Sequence, residues 1–262
     1  ADYNKADYKE IKEFDIARYL TGIGTDGKLH SYSGLAGADF KNIKQYRTLV
    51  QGLGSDYCLL DWRYFAIQCL YLVEYASFNS QSTLGNGCSA MRHNNGDVAL
   101  LAESNTNRII VNTSAGNSFV VGQQVRIGSY DSASSVIKTI TAINSYTEGE
   151  TNAKEIVFDG DPIASITLTT TIWTCVQSAG QCDSLGMKSG CLINDNKHNV
   201  IYRGIEGIHS NIFMFVDGIN IKDCQAYICY DPAQYVSDKF EAPYEKLGYV
   251  NSKKEGWTKD LG

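Results

Sequence analysis

Apolar positions along the chain follow two periods. Over residues 59–76 they recur at 62, 65, 66, 69, 70, 72, 73 and 76. That spacing predicts a helix over Leu59–Ala76 whose apolar side almost encircles it and which is buried on most sides. Asp56 is placed to cap its start, and the Gly85-Asn86-Gly87 cluster ends the unit. Cys69 lies on the apolar side and is expected to be a core thiol. Apolar residues at 40, 43, 46 and 49–50 give Phe40–Val50 a second helical spacing. Upstream, Ile11, Phe14, Ile16, Tyr19 and Leu20 form a weak apolar face. Residues 21–37, rich in Gly and Ser, predict a loop or turn region.

From 104 to 175 the character changes to short β-branched runs between Ser, Thr and Asn. Arg108–Val111, Ser118–Ile127, Val136–Ile143, Glu155–Phe158 and Ser165–Trp173 are predicted strands. The last alternates Ile166, Leu168, Thr170 and Ile172, as a half-buried strand does. In FVVGQQVRIGS a glycine separates two apolar halves, as at a tight turn or bulge. The stretch reads as a small all-β subdomain, barrel or sandwich, inserted into the main fold.

Composition narrows the picture. The 262 residues are long enough to bury a core without covalent staples. With 23 basic against 29 acidic residues the net charge is −6, which argues against a general binder of nucleic acid or of anionic membranes. The most apolar stretch, Trp62–Ala76, is broken by Arg63, Gln68 and Glu74, so no membrane-inserted span is expected. The start, ADYNKADYKE, shows no basic end followed by an apolar block, so no signal peptide is visible, and the lack of an initiator Met suggests a processed or trimmed start that leaves export open. Seventeen tyrosines and 24 glycines suit β structure, long loops and contact surface. Eight cysteines include no C-x-x-C pair. Cys175, Cys182 and Cys191, with His198 nearby, read as buried thiols or one disulfide rather than a metal set.

Chemistry-bearing motifs are sparse. Neither H-E-x-x-H, nor G-x-S-x-G, nor a phosphate-binding loop is present. TGIGTDG at 21–27 follows no strand. FDGDP at 158–162 sets two carboxylates two residues apart and reads as a turn, not a calcium loop. No catalytic residue, metal ligand or cofactor is assigned. The most distinctive segment runs from Tyr202 to Gly218. It has a strand-like start, a turn at Gly204–Gly207, an aromatic stretch and an Asp217-Gly218 turn. Arg203 and Glu206 are expected to pair across the first turn. Asp217 is expected to accept backbone N–H groups in the second.

This segment resembles the YRG-x-EN-x-x-GN-[VI]-W-E-[WF]-VDG pattern of C-type-lectin-like proteins of the formylglycine-generating-enzyme type. It is more closely similar to tail-fibre and receptor-binding proteins of phages of gut and related Gram-positive bacteria, many of them diversified by retroelements. Tyr202, Arg203, Gly204, Glu206, Asn211, Phe213, Asp217 and Gly218 carry the motif. Glu74-Tyr75-Ala76-Ser77-Phe78-Asn79-Ser80-Gln81 resembles the family's helix-then-SQ segment, and FVVGQQVRIGS with EIVFDGDP resembles its β insertion. In order, these cover most of residues 40–262. Ser210 stands where the pattern has Gly, Phe213 where it has Trp and Met214 where it has Glu. An aromatic core role survives the second change; a role for the acidic residue does not survive the third.

The resemblance implies an α+β fold with a C-type-lectin-like core and an inserted small all-β subdomain. The implied division is an N-terminal segment 1–50, a core of 51–103 and 176–262, and the insertion 104–175. Family members continue past a position like Gly262 with a Gly- and Trp-rich segment, so the core is expected to be C-terminally incomplete. The implied function is non-enzymatic: a phage tail or surface-displayed adhesin whose scaffold presents variable residues to a host-cell receptor, protein or glycan. Such a protein sits on a virion tail or a bacterial cell surface, as a homotrimer or attached to other virion proteins. Tyr230, Tyr235, Tyr244, Tyr249 and Trp257 are the candidate ligand contacts, since tyrosine offers contact area at little entropic cost. Two alternatives stand beside it. One is a formylglycine-generating-type oxidase, for which Cys224 and Cys229 are the only late cysteine pair. The other is a purely structural virion protein.

Overall fold

The computed structural model describes residues 13–71, 73, 74, 97–130, 132–148, 151–174, 178–183, 197–208 and 214–250. Helix accounts for about 15% and strand for about 35%, the latter in several small sheets, so the chain is a mixed α and β protein. It divides into two compact units. The larger takes Ala17–Lys41 and Leu70–Phe213; the smaller takes Ala1–Ile16, Asn42–Cys69 and Met214–Gly262.

The larger unit opens with a two-stranded hairpin, β1 (Gly22–Ile23) and β2 (Leu29–His30), inside the stretch expected to be loop. Among the described residues from 97 on, its body is β-rich. The strands are β3 (Asp97–Val98), β4 (Glu103–Thr106), β5 (Arg108–Asn112), β6 (Gln124–Gly128), β7 (Val136–Glu148), β8 (Thr151–Phe158), β9 (Ile163–Ile166) and β10 (Thr171–Thr174). Six form an antiparallel sheet in the order β3-β10-β6-β7-β8-β5, while β4 pairs with β9. Ile109, Val111, Val125, Ile127, Ile140, Ile156 and Ile172 join Phe119, Phe158 and Ile166 in one buried apolar cluster.

Two predicted strands are shorter than their patterns. Thr113–Gly116 forms a helical turn capped by Asn112, whose Oδ1 accepts the Ala115 N–H at 2.8 Å. Ser118–Ile127 becomes strand only at Gln124, because Val120 and Gln123 close a turn, the Gln123 N–H donating to the Val120 carbonyl and Gln123 Oε1 accepting the Val120 N–H. Gly122 has φ +89°, and a turn separates the two apolar halves. Ser165–Trp173 is split because Thr170 Oγ1 accepts the Thr167 N–H and Thr170 N–H returns to the Thr167 carbonyl. Such hydroxyl bonds compete with the strand ladder. Between β8 and β9, FDGDP is a turn: Asp159 Oδ1 accepts the Thr139 N–H at 2.8 Å.

A last hairpin, β11 (Ile201–Tyr202) and β12 (Ile205–Glu206), turns through Arg203 (φ 46°) and Gly204 (φ 83°). Two residues of positive φ match the twist of the strands they join.

In the smaller unit the helix Ile43–Gln51 starts at Asn42. The Asn42 side chain accepts the Gln45 N–H, and the Gln45 side chain accepts the Asn42 N–H in return, a capping box. Strands β13 (Ile219–Lys222), β14 (Gln225–Ile228) and β15 (Glu245–Val250) form an antiparallel sheet in chain order.

The second helix runs Trp62–Tyr71, starting three residues after the expected Leu59; residues 72, 75 and 76 of the expected end at Ala76 lie outside the described set. Asp61, not Asp56, meets its start, accepting the Arg63 N–H at 3.0 Å. Nor is it buried on most sides. Tyr64 and Tyr71 are buried, but Ala66, Cys69, Leu70 and Val73 are exposed, Leu70 at 56%. Cys69 is therefore a surface thiol, not a core one. The apolar pattern carries two faces, and the buried tyrosines occupy one.

Candidate ligand-binding site

The smaller unit is organised around two carboxylates distant in sequence. Asp61 and Asp217 face each other in a parallel bridge, and the Asp217 N–H donates to the Leu60 carbonyl at 2.7 Å. They are only 3% and 2% exposed. A carboxylate that buried persists only with charged and hydrogen-bonded partners. Arg47, on the first helix, supplies a fork to Asp217: Nε donates to Oδ2 at 2.7 Å and Nη2 to Oδ1 at 2.6 Å. Its Nη1 donates to Ser237 Oγ at 2.8 Å. Arg63 grips Asp61 through Nε, 2.9 Å from each oxygen, and through Nη2. The Tyr235 hydroxyl donates to Asp61 Oδ2 at 2.9 Å.

The fork geometry makes these charge-assisted bonds directional, so the lattice fixes the segments that bear it. Hydrogen bonds to the carboxylates hold both guanidiniums above their ordinary pKa. Burial, then the Asp61 charge, push the Tyr235 phenol above its usual value. The same two causes push the Cys58 thiol up, although Arg63 Nη2 lies 3.5 Å from its sulfur. A thiol shifted that way carries little thiolate near neutrality.

Gly218 is required at this corner. Its φ is +76°, and a Cβ there would fall 2.8 Å from Tyr235 Cζ. Its N–H donates to Asp217 Oδ1 at 2.8 Å, the turn bond the sequence predicts.

The rest of the motif lies in the larger unit, and one expected pair does not form. Arg203 Nη2 donates to Glu74 Oε2 at 3.0 Å, as the Tyr202 hydroxyl does at 2.7 Å. Glu206 instead accepts from Asn199 Nδ2 at 3.1 Å and from the Gly180 N–H at 3.2 Å. The reason is register. Glu206 opposes Ile201 on the hairpin and turns inward, whereas Arg203 occupies the turn itself. Burial raises the Glu206 carboxyl above its ordinary pKa, against the opposing bonds from Asn199 and Gly180. Asn211 and Phe213 lie outside the described residues.

The five candidate aromatic contacts are placed differently. Tyr230 is 41% exposed, its ring edge-on to Trp62 at 5.7 Å. Tyr235 is half-buried and spent on Asp61. Tyr244 is buried, its hydroxyl exchanging hydrogen bonds with the Val236 backbone, so it belongs to the scaffold and not to a contact surface. The Tyr249 side chain and Trp257 lie outside the described residues. Cys224 is half-exposed on the β13–β14 turn, whereas Cys229 is buried with its thiol toward the Asp231 carbonyl; neither forms a disulfide.

Arg47, Asp61, Arg63 and Ser237 were not singled out by sequence. The Asp61-x-Arg63 spacing at a helix start was the one available cue. Arg47 gave none, because its partner stands 170 residues away.

Beside this lattice lies a cleft lined by Arg47, Gln51, Tyr57, Cys58, Asp217 and Tyr235 among others. It encloses about 20 Å³, room for about one water molecule. Among the described residues no cluster of three or more His, Cys, Asp or Glu side chains is arranged to hold a metal ion, and no helix is long and apolar enough to cross a membrane. No protein-family model and no curated protein matches the sequence, and no solved structure matches the fold.

Proposed function

We propose that the protein is a non-enzymatic binding protein with a C-type-lectin-like core, displayed on a phage tail or a bacterial surface, that contacts a receptor on host cells. The ordered sequence motifs support the lectin-like and phage-related part of this reading. The observation that carries the binding part is the pairing of a buried polar lattice with braced, exposed aromatics. The buried charges are spent on protein partners, and the Cys58 and Tyr235 shifts run against nucleophilic or acid–base use near neutrality.

At the surface, Tyr230 leans on Trp62, and Phe215, 52% exposed, tilts against Tyr46 at 6.0 Å. Aromatic side chains held in place before contact lose little entropy on binding.

The test is a binding isotherm of the purified chain on intact Gram-positive cells. Saturable binding that weakens several-fold in Tyr230→Ala or Phe215→Ala supports the reading. Absence of saturable binding, or binding indifferent to both substitutions, contradicts it.

A further inference from the structure

The geometry points to the free edge of β7 as a dimerisation surface, on which it pairs antiparallel with β7 of a second copy of this chain. The inference concerns the larger unit alone and stands apart from the receptor reading. The open edge begins where β6 stops. β6 pairs with β7 only over 136–139, and its approach through Gly122 reaches no farther than Ile140, whose carbonyl accepts the Gly122 N–H at 2.7 Å. β7 shifts register between Ile140 and Ala142 and then runs on to Glu148 against β8 alone.

The alternation of ladder bonds shows which backbone groups are left over. The Phe158 N–H donates to the Asn107 carbonyl at 2.7 Å, so the even-numbered residues of β8 face β5. The odd-numbered ones face β7, where Ala142, Asn144, Tyr146 and Glu148 stand opposite them. The N–H and C=O groups of Ile143, Ser145 and Thr147 therefore point away from β8. Among the described residues they meet no backbone partner. Sheet edges are ordinarily blunted by charge, by proline or by a bulge within the edge. Residues 141–147 read TAINSYT, with neither charge nor proline, and the register shift stands before the open stretch. Such an edge is a template for another strand.

Self-complementarity selects the occupant. Among antiparallel registers, the one with its two-fold axis through Ser145 lets all three residues bond one another. Ile143 meets Thr147 of the second copy, Ser145 meets Ser145, and Thr147 meets Ile143. Each is a doubly bonded pair, which gives about six hydrogen bonds between the copies. In the same register Asn144 faces Tyr146 and Ala142 faces Glu148, so no like charges oppose each other. The acidic Glu148 end of one edge is brought toward Ile140 and Gly122 of the other. Lys197 lies there: a Cβ on Gly122 would fall 3.5 Å from its Nζ. Opposite charge thus marks both ends of the contact. A contact of this kind uses the same surface on both partners and closes with two copies, so the assembly is a dimer where the resemblance implies a trimer.

The experiment follows the full chain from micromolar to millimolar concentration by sedimentation equilibrium, and its ¹⁵N-labelled amides by hydrogen exchange over the same range. The chain should pass from monomer to dimer. The Ile143, Ser145 and Thr147 amides should gain protection in step with dimer formation, whereas those of Asn144 and Tyr146, already bonded to β8, should be protected throughout. Ser145→Pro removes the central outward N–H at a position where an edge strand tolerates proline, and should raise the dissociation constant at least about tenfold. Ser145→Ala keeps that N–H and should leave the constant within about twofold of the wild type. The Ser145 side chain is exposed, so both variants should keep the native amide spectrum away from the edge. A chain that stays monomeric, a trimer, or a dimer whose three outward amides remain unprotected overturns the inference in the wild type itself. A dimer that Ser145→Pro leaves undiminished overturns the location.

Discussion

In the six-stranded sheet the central positions belong to Ile109, Ile127, Ile140, Ile156 and Ile172, whereas in the smaller unit they belong to Asp61, Asp217, Arg47 and Arg63. The first arrangement is stabilised by apolar area removed from water, which is non-directional and tolerant of small changes in shape. The second gains directional bonds at the cost of desolvating charges, so its net contribution to stability should be small. What it supplies is geometry. The Arg47–Asp217 fork and the Tyr235–Asp61 bond join segments distant in sequence, and Gly218 admits the Tyr235 ring against the turn. A unit meant to hold surface residues in fixed positions has a use for such bonds that a unit meant only to be stable lacks.

The largest effect expected is from Asp217→Ala. It strands the Arg47 guanidinium in a buried site and should cost about 3–5 kcal/mol in chemical denaturation. The double change Arg47→Met with Asp217→Leu should cost less than Asp217→Ala alone, since no charge is then left unpaired. If the double variant is the less stable of the two, the pair is a net stabiliser and the contrast between the regions weakens.

Ile156→Ala, in the apolar core, should cost about 2–5 kcal/mol through lost transfer energy and the cavity left behind. No apolar pairing of changes of reduced volume should rescue it. Asn42→Ala removes the side-chain half of the capping box and should cost about 1 kcal/mol by the same measurement.

The smallest effect is a slope. Glu206 has a folded pKa above its ordinary value near 4.5, so the folded chain holds that proton more tightly than the unfolded one. Its contribution to stability is therefore greatest below 4.5 and falls as pH rises from there through the raised folded value. Glu206→Gln should flatten the dependence of Tm on pH in that window, and an unchanged slope would remove Glu206 as its source.

How much of this was legible in the sequence follows the range of the forces involved. The strands expected at 108–111, 136–143 and 155–158 and the helix expected at 40–50 follow from local periodicity, as does the Asp217-Gly218 turn bond, whereas the polar extensions to Glu148 and back to Thr151 carry no apolar alternation and were not legible. The helix at 62–71 was recognisable, but its buried face was not. Spacing alone cannot say which of two apolar faces finds a partner, and so Cys69 was misplaced. The Arg203–Glu206 pairing failed because hairpin register, not sequence proximity, directs side chains. The Arg47–Asp217 fork was invisible, because one arginine on a helix carries no mark of a carboxylate so far along the chain.

The claim that the charge lattice holds the smaller unit rigid is tested most directly by native-state hydrogen exchange at Asp217 and Gly218. These amides donate to the Leu60 carbonyl and to Asp217 Oδ1. Protection there comparable to that of the Ile156 amide in the central sheet, and lost in Asp217→Ala, is the result expected. Exchange at the rate of an unprotected loop amide in the wild-type chain would contradict it.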